Sequence, residues 1–116
     1  MGELTLFLFK SERIFPHFNL YPLTDNLSMP LMKYKKVDLK SNRNFKNLFS
    51  LKGIDPEETR NVFTETAVNK LEEIKNIYIE ARSNYFLVFC NGLNLTKEHV
   101  NMFLPYAKST FEAFKQ

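Results

Sequence analysis

Gly53-Ile54-Asp55-Pro56-Glu57-Glu58-Thr59-Arg60-Asn61-Val62-Phe63-Thr64 is the stretch on which the reading of the fold turns. The Asp55 carboxylate is placed to accept hydrogen bonds from the free N–H groups of a first helical turn. Pro56 suits the first helical position, and Glu58, three residues on, completes a capping box. The chain before this stretch reads as short strands and loops; the chain after it reads as helix, hairpin, helix. Its signals concern folding, and it carries no catalytic or ligand signature.

Beyond the cap, Val62, Phe63, Ala67, Leu71 and Ile74 recur at helical spacing and define one buried stripe. Thr64 competes for backbone hydrogen bonds, so the segment is either one helix or two, split as 56–63 and 65–75. Residues 77–90 then read as a hairpin turning at Ser83-Asn84. In that register Ile77, Ile79 and Ala81 fall opposite Cys90, Val88 and Phe86 on a core face. Tyr78, Glu80 and Arg82 fall opposite Phe89, Leu87 and Tyr85 on an outer face. Thr96 caps a last helix lined by Val100, Phe103, Leu104, Ala107, Phe111 and Phe114, with Pro105 expected to kink or interrupt it.

Upstream of Gly53, Phe49 to Lys52 reads as a strand, and Ser41 or Asn42 as the cap of one helical turn carrying Phe45 and Leu48. Val37 and Leu39 suggest a further short strand. Residues 22–36 are broken by Pro22 and Pro30 and read as loop. Phe15 to Pro22, bracketed by Pro16 and Pro22, reads as an edge strand, because proline cannot serve a central ladder. Leu4 to Phe9 alternates as a strand that Lys10 to Arg13 ends with charge. The expected fold is therefore α+β: an antiparallel sheet of four to six strands, with two main helices, from Asp55 and from Thr96, packed on one face.

A chain of 116 residues is one domain by length, and its core is aromatic, with twelve Phe, five Tyr and no Trp. The single cysteine, Cys90, excludes an internal disulfide and fits a reducing compartment, so a cytoplasmic domain is expected. No run reaches the roughly eighteen apolar residues of a membrane span. Charge is uneven. Residues 1–52 carry nine Lys/Arg against four Asp/Glu, and residues 53–116 carry seven against nine.

Catalytic chemistry is not expected. His17 and His99 lack neighbours at metal-ligand spacing, Cys90 reads as a small buried hydrophobe, and the three glycines form no phosphate loop. No catalytic residue, cofactor or metal is assigned. A contact surface is: Tyr78, Arg82, Tyr85 and Phe89 on the outer face of the hairpin, with Lys33, Lys35 and Lys36 from the basic segment 33–52. A protein partner or self-association is the leading expectation. Nucleic acid or an anionic membrane surface, bound by stacking and charge, is the alternative, against the plainer reading of 33–52 as a solvated charge run.

Three stretches carry a family resemblance. Leu4 to Phe9 leads to Phe15-Pro16-His17-Phe18-Asn19-Leu20-Tyr21-Pro22; Phe45 to Gly53 leads to Asp55-Pro56-Glu57-Glu58 and Val62-Phe63-Thr64; Ile79-Glu80 and Leu87-Val88 lead to Thr96-Lys97-Glu98. With these, nearly the whole chain resembles the soluble domain of a group of uncharacterised, usually membrane-anchored bacterial proteins. The resemblance implies a strand and membrane helices upstream and supplies no catalytic residues. This chain departs from the group at 22–36, often helical there, and at Glu65, where the group has proline.

Overall fold

The computed structural model describes residues 5–23, 34–39, 43–74, 77–90 and 97–114. In chain order the elements are β1 (Thr5–Pro22), β2 (Lys35–Lys36), α1 (Arg43–Leu48), β3 (Phe49–Gly53), α2 (Pro56–Val62), α3 (Glu65–Ile74), β4 (Tyr78–Cys90) and α4 (Lys97–Phe114). The strands form one antiparallel sheet in the order β2-β3-β1-β4, with the helices on one side: an α+β fold.

Neither long strand is straight. The 18 residues of β1 would span about 59 Å if straight, yet the longest dimension of the molecule is 39 Å. β4 doubles back on itself. Tyr78 and Phe89 sit eleven positions apart, next to the buried Ile77, Ile79 and Val88 and so facing away from the core, and their rings stack at 4.9 Å. Residues on the outside of a sheet touch in this way only when their strands lie side by side. The fold-back comes at Ser83, whose φ of 53° is positive as in the first central position of a II′ hairpin turn.

The two arms of β1 flank this hairpin. Thr5 to Lys10 pairs with Cys90 to Tyr85, whereas Phe18 to Leu20 pairs with Ala81 to Ile79, and the register slips on either side of Phe15. Residues 11–14 arch past the hairpin turn between the arms. The expectation of an edge strand at Phe15 to Pro22 is thus corrected: Phe18 is flanked by both Gly53 and Ala81, and Leu20 by both Leu51 and Ile79. The prolines permit this because Pro16 falls within the register slip and Pro22 is the last residue of the strand. The charged segment Lys10 to Arg13 likewise does not end the strand but carries it around the turn. The short strand read at Val37 and Leu39 lies two residues earlier, at Lys35–Lys36, although the Val37 N–H still donates to the Leu51 carbonyl at 2.9 Å.

Local signals set the helices. Asp55 Oδ1 accepts from the Glu57 and Glu58 N–H groups at 3.1 and 3.2 Å, and Pro56 opens α2. The chain leaves helical geometry at Phe63 and restarts at once, because Thr64 Oγ1 accepts from the Ala67 N–H at 3.2 Å and caps α3. Of the two readings of this segment, the split one is observed. α1 carries Phe45 inward, and α4 runs through Pro105 as one helix. The expected cap at Ser41 or Asn42, the loop over residues 24–33, and the cap at Thr96 lie outside the described residues.

The core fills the space between the inner face of the sheet and the helices. Its centre is aromatic. Phe63, at the break between α2 and α3, meets Phe18 and Phe114 at 5.0 Å each, edge to face, and Phe45 at 5.9 Å. Phe86 links Phe15, Phe111 and Phe114. Edge-to-face pairs add roughly 0.5–1.5 kcal/mol each beyond the area they bury. Phe63→Ala is therefore expected to cost about 3–5 kcal/mol of unfolding free energy in urea denaturation; a loss below about 1 kcal/mol would remove Phe63 from the core.

Gly53 lets α2 lie close against the sheet. A Cβ there would overlap the hydroxyl oxygen of Thr59, which is fully buried and donates to the Asp55 carbonyl at 2.8 Å. Gly53→Ala should destabilise by about 1–3 kcal/mol. In a double-mutant cycle Thr59→Ala should recover part of that loss, whereas strict additivity would place the strain elsewhere.

Candidate functional site

The register decides which of the proposed contact residues share a face. Lys36 pairs with Lys52, Lys52 with Asn19, and Asn19 with Glu80. Directly paired residues point to the same side of an antiparallel sheet, so these four form one row across it. The inner face is fixed by Leu20, Leu51, Ile79 and Ala81, all buried. Side chains alternate, so the row from Lys36 to Glu80 lies on the opposite, outer face. Arg82, Tyr85, Leu87 and Phe89 share that face, alternating with the buried Ala81, Phe86 and Val88.

The structure thus brings Lys36 onto the same face as Arg82, Tyr85 and Phe89. Tyr85 is 47% exposed, and Arg82 and Lys36 are exposed; Phe89 is half-buried. Lys35 is also exposed, but it pairs with Gly53 and so belongs to the other side of the sheet edge. Lys33 lies outside the described residues. Tyr78 is corrected: it is on the outer face as expected and its ring stacks on Phe89, but it is only 5% exposed. It is therefore not an exposed contact residue.

Sequence reasoning missed several members of this face. Lys52 is half-buried, with its ammonium 5.9 Å from the centre of the Tyr21 ring, a cation–π distance. Lys10 pairs with Tyr85, and Leu8, 62% exposed, pairs with Leu87. Asn19 is 5% exposed between Lys52 and Glu80, and its side-chain carbonyl has no hydrogen-bond partner among the described residues. No local pattern flags these residues, since each joins the face through pairing with a strand distant in sequence. Only the alternation of Leu8 with Phe7 and Phe9 hinted at it.

Lys10, Lys36, Lys52 and Arg82 supply positive charge to this face, with the carboxylate of Glu80 in the same row as Lys36 and Lys52 and the exposed Glu12 two positions beyond Lys10. Among the described residues no cluster of three or more His, Cys, Asp or Glu side chains is placed to hold a metal ion, and no helix is long and apolar enough to cross a membrane. His17 is half-buried beside Phe18; the side chains of Cys90 and His99 lie outside the described set. Comparison with family models, with curated proteins and with solved structures returns no match.

The contrast between the two tyrosines is measurable. Tyr78→Ala should lower stability by roughly 3 kcal/mol, as for other large buried rings, while Tyr85→Ala should cost under about 1 kcal/mol. Equal losses in thermal or urea unfolding would reverse the assignment of which ring is covered.

Proposed function

We propose that the chain is a non-enzymatic interaction domain that engages its partner with the outer face of the sheet. The observation that carries this reading is the division of labour in the fold. Every described helix packs on one face, and the other is left with Tyr85, Phe89 and Leu8 set among Lys10, Lys36, Lys52 and Arg82. Aromatic and Arg side chains are the types that dominate binding energy at protein interfaces. The leading partner is another protein. The resemblance in sequence supports a place on the cytoplasmic side of a bacterial membrane, with an anchor supplied upstream.

The cations Lys10, Lys36, Lys52 and Arg82 on this face favour a second reading, binding of a polyanion such as single-stranded nucleic acid or an anionic lipid surface. There Tyr85 would stack and the lysines would neutralise phosphate. One experiment separates the two. A photo-crosslinking amino acid at position 85 should give a discrete adduct in the host cell that Arg82→Ala weakens, while the same group at Asn69, exposed on α3, gives none. A polypeptide adduct supports the first reading and a nucleic-acid or lipid adduct the second. Equal labelling from positions 85 and 69 would sink the assignment of the face.

A further inference from the structure

The two edges of the sheet are built on opposite principles. At one, β2 is two residues long and both are exposed lysines, Lys35 and Lys36. A short, charged strand of this kind blocks pairing with a further chain. At the other, the first arm of β1 commits one row of its backbone groups to β4, from Thr5 opposite Cys90 to Lys10 opposite Tyr85. No other strand among the described residues pairs with its second row. Within β1 this edge carries no charge before Lys10, and from Leu6 to Phe9 it is apolar on both faces. Phe7 and Phe9 turn inward onto Phe103 and Phe111, at 5.4 and 4.8 Å, while Leu8 turns outward and is 62% exposed.

An open row of N–H and C=O groups is complementary to an extended strand, and the sequence of this one is complementary to itself. Phe7-Leu8-Phe9 reads the same in both directions. We propose that this edge pairs antiparallel with the same edge of a second copy, about a two-fold axis through Leu8. In that register Leu8 meets Leu8 of the partner subunit and Phe7 meets the partner's Phe9, so inner rings extend the inner face and outer leucines cover each other. An axis passing between residues would set inward side chains against outward ones, because strand side chains alternate. The pairing is isologous and closes at two chains. Among the described residues the sheet edge each copy then leaves is Lys35–Lys36, whose short charged strand blocks further pairing, so the assembly closes at two chains. The two Lys10 side chains fall at opposite ends of the paired segment and do not repel.

The test is sedimentation equilibrium from about 1 µM to about 0.5 mM. A concentration-dependent dimer is expected. Leu8→Lys sets two ammonium groups face to face on the axis and should raise the dimer dissociation constant at least tenfold while circular dichroism and melting temperature stay at the wild-type values. Ile14→Lys, at a residue 74% exposed in the arch and outside the paired segment, should leave dimerisation unchanged. Directly opposed residues of antiparallel strands have Cα atoms about 4.5–5.5 Å apart, within disulfide reach. Leu8→Cys in a Cys90→Ser background should therefore form a covalent dimer on oxidation. A wild-type chain that stays monomeric throughout the range, a folded Leu8→Lys variant that dimerises normally, or an equal loss with Ile14→Lys would each overturn the proposal.

Discussion

The fold depends on the ring of Phe63 reaching the centre of the core at the one point where the chain between Asp55 and Ile74 ceases to be helical. Phe63 adopts φ −89° and ψ 71°, and its N–H still bonds back to the Arg60 carbonyl at 3.1 Å, so α2 is closed in an orderly way. Thr64 then caps α3 without a linker. Ending one helix and starting the next within two residues leaves few backbone groups unpaired. It frees the Phe63 ring to contact Phe18 from the sheet, Phe45 from α1 and Phe114 from α4 together. Three elements far apart in the chain are thereby tied through one side chain.

The second constraint is the distance at which α2 lies on the sheet. Thr59 hydrogen-bonds to the carbonyl of the Asp55 cap and occupies the space that a side chain at position 53 would need. Gly53 also pairs with Phe18 and with Lys35. One residue without a Cβ thus sets both the seat of the helix and the end of the β3 ladder. Because the helices are held tightly on that side, the outer face is left to carry aromatic and cationic groups that contribute little to the core. The row from Lys36 through Lys52 and Asn19 to Glu80 is part of the same architecture, positioned by the ladder that buries Leu20 and Leu51.

Much of this is legible in the sequence because it is local. The Asp55 cap, the extent of β3, the turn at Ser83 and the inner set Ile77, Ile79, Ala81, Phe86 and Val88 each follow from residues within a dozen or so positions of one another, where periodicity and turn chemistry act directly. The same reasoning puts Arg82, Tyr85 and Phe89 on the outer face. Tyr78 misleads because alternation assigns a side but not an exposure. Its ring stacks on Phe89 across the hairpin and is buried although it lies on the outer face. In the sequence Lys52 is only one member of a charge run; its position over Tyr21 becomes visible once β3 and β1 are known to pair.

The place of β1 shows where local reading fails. Prolines at 16 and 22 argue against a place for this segment in the interior of a sheet, yet Phe18 is flanked on both sides by partners 35 and 63 positions away in the chain, Gly53 and Ala81. A proline forbids a hydrogen bond at its own nitrogen, and the prohibition extends no further. Three residues between Pro16 and Pro22, Phe18 to Leu20, suffice to pair on both sides, provided the register slips before them and the strand stops after. What decides the position of such a segment is the set of apolar residues that must meet across the sheet. Phe18 and Leu20 are buried beside Leu51, Ile79 and Ala81, and that burial outweighs the two ladder bonds that the prolines cannot make.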